Sequence, residues 1–165
     1  AVTGTLSTAA SDVYVALRNN SGAQQTYSFT IMDNDGNWYT GTKKANLANG
    51  KNYIATVKLT KLQELTSSSA VGTIGVVGGL PAIAISSNKA VALMNTGALC
   101  PEDYGKYYTF VNKASELPTG WRVPTQTELE DLAAITNSWG APNGVNGRKF
   151  TIGDNVLFLD RKSVV

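Results

Sequence analysis

The sequence predicts a mainly β protein with one short helix, and three observations carry this prediction. Apolar and polar residues alternate with a period of two in several short stretches, which is the pattern of antiparallel strands over a core. Turn signals rich in Asn, Asp and Gly separate these stretches. Only the stretch after Pro124 combines a helix start signal with helical spacing of its apolar residues.

The composition fits a folded protein and narrows the classes of function. The chain has 165 residues, of which 42% are hydrophobic and 16% charged, so it can bury a core. Its net charge is +2 and no run of Lys or Arg exceeds two residues, so we expect no nucleic-acid partner. No stretch reaches the roughly 18 consecutive apolar residues of a membrane span. Because the chain starts at Ala1 without Met, we expect a processed or trimmed N-terminus.

The residue types that usually carry catalysis are scarce. The chain has no His, which removes the commonest general base and the commonest transition-metal ligand. Cys100 is the only cysteine, cannot form an internal disulfide, and is interpreted as a small buried residue. We therefore expect no catalytic residue, no metal site and no cofactor.

The first sixty residues predict antiparallel strands that form a β-meander or part of a Greek-key sandwich. Residues 13–17, 27–31 and 53–59 alternate between apolar and polar side chains. Turn signals lie between them at residues 20–22, 33–36 and 49–50.

The same region resembles the closing strands of fimbrillin-like domains, which often end in the pattern Leu-x-x-Gly-Lys-x-Tyr-x-x-x-Val-x-Leu. Here that pattern runs from Leu47 through Gly50 and Tyr53 to Leu59. The resemblance covers about residues 2–62 and implies a β-sandwich portion that serves as a stalk or pilus-attachment unit. The family's sandwich is longer, so this portion is either a fragment or a small sandwich.

The second part of the chain predicts a separate domain. Ser67-Ser-Ser69 and the lack of periodicity indicate a linker over residues 63–72, between a unit at 1–62 and a domain at 73–165. Short apolar runs at 71–77 and 82–85, around Gly78-Gly79, predict strands, as do residues 89–94. Residues 149–152 and 155–159 predict a hairpin around Gly153-Asp154.

The helix signal lies in the stretch Gly120-Trp-Arg-Val-Pro-Thr125. Pro124 restricts the residue before it to extended conformations, so Trp121–Val123 is expected to be a short strand. Thr125 and Glu128 have the spacing of a capping box, which predicts a helix over residues 126–135. Trp121 is expected to pack where the apolar face of that helix docks. Glu128, Glu130 and Asp131 are interpreted as capping and solvated charge rather than as a catalytic acid pair.

Together with Ala92–Ala98 and Pro101–Tyr108, this stretch resembles the major paralogous domain of bacterial surface proteins, known from Fibrobacter and Bacteroidetes. The resemblance covers about residues 83–159. It implies a C-type-lectin-like α+β fold, related to that of sulfatase-modifying enzymes. Asp160–Val165 follows where family members carry a long Gly/Trp/Ser-rich stretch, so the domain is expected to be truncated or shortened by a deletion.

Trp139 and Asn143 are the candidate ligand-binding residues, in a stretch at 137–147 that predicts a loop rich in Gly, Pro and Asn. Trp139 either plugs the core or is exposed for stacking on a sugar or protein. Ala141-Pro-Asn143 lacks the Glu of calcium-dependent lectins, so no lectin-type calcium site is expected. The spacing of oxygen ligands at residues 33–37 suits calcium but favours a hairpin turn. Tyr104, Tyr107 and Tyr108 are interpreted as core and rim residues.

These expectations combine into an extracellular adhesion or binding protein of the cell surface or fimbrium, with a lectin-like tip on a β-sandwich stalk. Its expected partners are a surface glycan or protein and other pilus subunits. Two alternatives stay open: a structural pilus subunit that assembles by β-strand addition, and a degenerate enzyme domain of the sulfatase-modifying type.

Overall fold

The computed structural model describes residues 22–160, except for residues 49, 99, 110, 111, 113, 114, 142 and 143. These residues form nine strands, arranged in three small antiparallel sheets, and one short helix, which confirms the prediction of a mainly β protein with one short helix. The chain divides into two compact units, Ala1–Leu62 and Gln63–Val165. The strand predicted over residues 13–17 lies outside the described residues.

The described part of the first unit contains one sheet with the strand order β1-β2-β3, where β1 is Gln25–Met32, β2 is Trp38–Ala45 and β3 is Thr60–Lys61. β1 and β2 form a hairpin that closes through the predicted turn after Met32. The N–H of Gly36 donates to the carbonyl oxygen of Asp33 at 3.1 Å, and Gly36 has a φ of 81°, a conformation that glycine adopts without strain. The alternation over residues 27–31 is confirmed as β1, whereas β2 is not predicted because Lys43 and Lys44 interrupt its apolar pattern.

Residues 53–59 do not form the strand that their alternation predicts. The backbone of this stretch comes close to β2 at Gly41, where a Cβ would lie 2.5 Å from the carbonyl oxygen of Lys58. Of residues 53–61, only Thr60–Lys61 pairs with β2, and the side chain of Ile54 is fully exposed.

The second unit begins with a sheet of order β4-β5-β6, where β4 is Ile74–Val77, β5 is Leu80–Ser86 and β6 is Lys89–Ala92. These strands confirm the predictions around Gly78-Gly79. Residues 63–72, predicted as a linker, are hydrogen bonded to this sheet. The N–H of Leu65 donates to the carbonyl oxygen of Val76 at 2.9 Å, and the N–H of Gly72 donates to that of Ala84 at 2.8 Å.

The rest of the second unit consists of α1, Gln126–Ala134, and a sheet of order β7-β8-β9. The strands are β7 Asn137–Gly140, β8 Gly147–Ile152 and β9 Asn155–Asp160, so the predicted hairpin around Gly153-Asp154 is confirmed. The core takes side chains from β5, α1, β8 and β9: Ile83, Leu132, Phe150, Ile152 and Leu157. Among the described residues, no helix is long and apolar enough to cross a membrane.

Two predictions for this part of the chain are wrong. Trp121–Val123 is not a strand, because its backbone pairs with no neighbouring strand and the N–H of Trp121 closes a turn onto the carbonyl oxygen of Pro118 at 3.0 Å. Asn137–Gly140 is a strand rather than a loop, because β8 offers it a complete ladder from Asn137↔Phe150 to Gly140↔Gly147. Tertiary pairing here overrides the low strand propensity of Asn, Ser and Gly.

Candidate functional site

Trp139 lies on β7 and is 58% exposed, so it does not plug the core. Its partner directly across the ladder is Arg148 on β8. The guanidinium carbon of Arg148 lies 5.0 Å from the centre of the Trp139 ring, which is cation–π geometry. The indole is thus supported by Arg148 while much of its surface stays open to solvent.

Arg148 is itself held by Asn137. Nη1 of Arg148 donates to Oδ1 of Asn137 at 3.2 Å. The Asn137 amide nitrogen donates to the carbonyl oxygens of Ala133 at 3.1 Å and Ile135 at 2.7 Å, both at the end of α1. The helix end therefore orients Asn137, Asn137 orients Arg148, and Arg148 supports the indole.

An open depression of about 470 Å³ lies beside the indole, lined by Trp139, Gly140, Ala141 and Asn146. Gly140 and Ala141 are small, so they leave the indole accessible. Asn146 is exposed and presents an amide with both donor and acceptor atoms. Asn143, the second predicted ligand-binding residue, lies outside the described residues.

Lys149, the residue after Arg148, points to the opposite face of the sheet and passes beside Gly140. Its Nζ lies 3.1 Å from the position that a Cβ on Gly140 would occupy. Arg148 and Lys149 therefore flank β7 from its two faces.

The predicted motif around Thr125 forms a capping box at the start of α1. The hydroxyl of Thr125 accepts from the N–H of Glu128 at 3.3 Å, and the N–H of Thr125 donates to Oε2 of Glu128 at 2.9 Å. Pro124 stands directly before this cap, where its missing N–H costs no helical hydrogen bond. The motif thus starts a helix, as predicted.

Glu128 has a second role that the sequence analysis misses. Arg122 donates two hydrogen bonds of 2.7 Å to the carboxylate of Glu128, and Nζ of Lys89 lies 3.4 Å from Oε1 of Glu128. The hydrogen bonds from Arg122 hold the pKa of Glu128 well below its ordinary value, and Glu128 in turn raises the pKa of Arg122. The two residues are six apart across Pro124, so no helical spacing rule finds the pair.

Trp121 joins this motif to the first sheet of the second unit. Its indole Nε1 donates to the carbonyl oxygen of Val77 at 3.0 Å, in the turn that connects β4 to β5. The contacts of the four motif residues, Trp121, Pro124, Thr125 and Glu128, are therefore those of a structural motif.

Asp160 is a further residue that sequence reasoning misses. Its side chain is fully buried at the end of β9, and its Oδ2 accepts a hydrogen bond of 2.7 Å from the amide nitrogen of Asn95. The same amide also donates to the carbonyl oxygen of Asp103 at 3.1 Å. The buried carboxylate of Asp160 thus connects β9 to Ala92–Ala98, which contains Asn95, and through Asn95 to Pro101–Tyr108, which contains Asp103.

The tyrosines of the stretch Pro101–Tyr108 are more exposed than expected. Tyr104 and Tyr107 are exposed, so the core interpretation is wrong for both. Tyr108 is half-buried, and Nζ of Lys106 lies 5.3 Å from its ring centre. Cys100, expected to be buried, is also only half-buried.

The Asp33 loop is a hairpin turn, as predicted. Oδ1 of Asp33 accepts from the N–H groups of Asp35 at 3.0 Å and Asn37 at 2.8 Å, and Oδ2 accepts from the Tyr39 hydroxyl at 3.1 Å. The side-chain hydrogen bond from Asn37 is the main cause of a lowered pKa at Asp33. Within the part of the chain that the structure describes, no three His, Cys, Asp or Glu residues cluster as a metal site would need.

No protein-family model, no curated protein and no solved structure matches the chain significantly.

Proposed function

We propose that this chain is a non-catalytic adhesion or binding protein of the bacterial cell surface, and that the surface around Trp139 is its contact surface. The observation that carries the proposal is the indole of Trp139, which is 58% exposed and makes a cation–π contact with Arg148. Burying such an indole against a ligand contributes a large apolar area at a small entropic cost, because its orientation is already set.

The surrounding residues favour contact recognition over chemistry. The depression beside Trp139 is shallow and open, and its lining residues are an aromatic, two small residues and an amide. None of these side chains is a nucleophile or a general base. The extracellular location and the expected surface glycan or protein partner rest on the sequence resemblances and belong to the same proposal.

The experiment is an adhesion assay with the full chain coupled to fluorescent beads, applied to cell and matrix surfaces. Trp139→Ala is expected to reduce bead retention at least about tenfold, as the loss of an interface anchor does. Tyr107→Ala removes another exposed aromatic of the same unit and serves as the matched control. Retention of the Trp139→Ala beads at the wild-type level would reject the proposal.

A second candidate is a structural pilus subunit that assembles by β-strand addition. Two observations in the first unit favour it. The outer edge of β1 pairs with no described residue, and β1 contains neither a charge nor a proline to block a foreign strand. Residues 51–56 are exposed and strand-like in composition but belong to no strand.

Light scattering over a range of concentrations separates the two candidates. Strand addition predicts oligomers that grow with concentration and that Ser28→Pro in β1 abolishes, since proline removes an edge donor. A protein that stays monomeric at every concentration tested would leave only the adhesion proposal.

A further inference from the structure

We infer that the ligand of the Trp139 surface is an acidic saccharide, meaning a pyranose that carries a carboxylate or a sulfate group. This inference rests on the proposed function and gives the ligand class for the same site. Three features carry it: the shape of the surface, the charges beside it and the amide at its rim.

The shape suits a single sugar ring. The apolar C–H face of a pyranose is flat and stacks on an indole, and Trp139 offers its solvent-exposed surface next to two residues without bulky side chains, Gly140 and Ala141. A stable protein partner would need about 800 Å² of buried surface on each side. The depression of about 470 Å³ beside Trp139 is closer to the size of one or two sugar rings.

The charges beside the surface lack anionic partners. The described part of the second unit contains five cationic side chains, and three of them are ion-paired: Lys89 and Arg122 with Glu128, and Lys106 with Glu116. The two that form no ion pair among the described residues are Arg148 and Lys149, which flank β7.

Nearby carboxylates do not neutralise these two cations. The carboxylate of Asp160, on the neighbouring strand β9, is fully buried and accepts its hydrogen bond from Asn95. Among the described residues that line the depression, none is acidic. Arg148 lies on the same face of β7 as the indole and Lys149 on the opposite face, so both charges make the potential around this strand positive, and within about 10 Å it attracts an anionic group on a stacked sugar.

The amide at the rim suits the hydroxyl groups of the same ligand. Asn146 is exposed and lines the depression. Its side chain offers donors and an acceptor, the combination that binds adjacent sugar hydroxyls. The surface around Trp139 thus combines an aromatic ring for stacking, positive charges for an anionic group and an amide for hydroxyl groups.

The test is a glycan array probed with the full chain. The array carries uronic-acid glycans, sulfated glycans and neutral glycans with the same ring configuration, so each acidic probe has a neutral counterpart. We expect the protein to bind the acidic probes. Comparing the uronic-acid probes with the sulfated probes then identifies the anionic group as a carboxylate or a sulfate. Binding should weaken as salt rises, because the attraction is partly electrostatic.

Variants then assign the effect to the named residues. Trp139→Ala should abolish binding to every probe. Lys149→Met should reduce the preference for acidic over neutral probes by about two- to fivefold, the range of one exposed charge pair, and leave the indole in place. Lys44→Met makes the same change on an exposed strand lysine of the first unit, and it should leave the preference unchanged.

The outcomes separate this inference from the proposed function. Equal binding to neutral and acidic probes, or Trp139-dependent adhesion to surfaces without any glycan binding, would overturn the acidic saccharide and leave the adhesion protein standing. Acidic-glycan binding that survives Trp139→Ala would also overturn the inference. Adhesion that does not depend on Trp139 at all would overturn the proposed function itself.

Discussion

Oδ1 of Asn137 accepts a 3.2 Å hydrogen bond from Nη1 of Arg148, and this contact links the end of α1 to the guanidinium that supports Trp139. The two residues are 11 apart in sequence and lie on neighbouring strands. Asn137 is therefore a positioning residue for the indole, although it does not contact the indole through any hydrogen bond.

Asn137→Ala should release Arg148 and let the Trp139 indole reorient. The Nε1–H resonance of Trp139, identified with Trp139→Phe, should shift and broaden in the proton–nitrogen NMR spectrum. Stability should fall by about 1 kcal/mol or more, since the amide also bonds two carbonyls at the helix end. Ser138→Ala, on the same strand with an exposed side chain, is the control. An unchanged indole resonance in Asn137→Ala would contradict the positioning role.

Thr125→Ala should destabilise the second unit by about 0.5–2 kcal/mol, because the N–H of Glu128 loses its capping acceptor. Thermal melting measures the change. Thr127→Ala, two residues into α1 and exposed, keeps the cap and should have no such cost. If the Thr125→Ala and Thr127→Ala variants have the same melting temperature, the cap does not stabilise the helix.

Stability should fall in acid through Glu128. Its pKa in the folded protein lies below the ordinary value of 4.5, chiefly because of Arg122. The carboxylate therefore contributes stability that is present above pH 4.5 and is lost as the pH falls through the lower folded pKa. Melting temperatures of Glu128→Gln should depend less on pH than those of the wild type over this acidic range. Glu130→Gln removes a neighbouring exposed carboxylate and should leave the wild-type slope, whereas equal slopes in wild type and Glu128→Gln would exclude this linkage.

Gly78→Ala should destabilise more than Gly79→Ala, although both glycines have positive φ, 52° and 79°. An alanine at either position costs about 1–2 kcal/mol for the left-handed backbone. At Gly78 the added Cβ would also lie 2.8 Å from the carbonyl oxygen of Thr119, whereas nothing lies within 4 Å at Gly79. Denaturant unfolding compares the two, and equal losses would show that the turn does not pack tightly against Thr119.

Local rules predict the parts of this fold that local chemistry determines. The capping box of Thr125 and Glu128 and the turn at Gly153-Asp154 depend on residues within a few positions of each other, so the sequence is sufficient to find them. Long-range geometry determines the rest. Residues 53–59 have a strand pattern, but only Thr60–Lys61 after them pairs with β2. The pairing of β7 with β8, the Arg122–Glu128 pair and the burial of Asp160 do not follow from sequence spacing.

The order in which the ribosome releases the chain matters for the second unit, because its contacts span long stretches of sequence. The bond between Asn95 and Asp160 joins residues 65 apart, and the bond from Asn155 to the carbonyl oxygen of Gly72 joins residues 83 apart. β9 also supplies Leu157 to the core. Until β9 has been synthesised, the core around Ile83 lacks Leu157, and the apolar face of the sheet β4-β5-β6 stays exposed to water. The second unit is therefore expected to complete its core only late during synthesis, after β9 has left the ribosome.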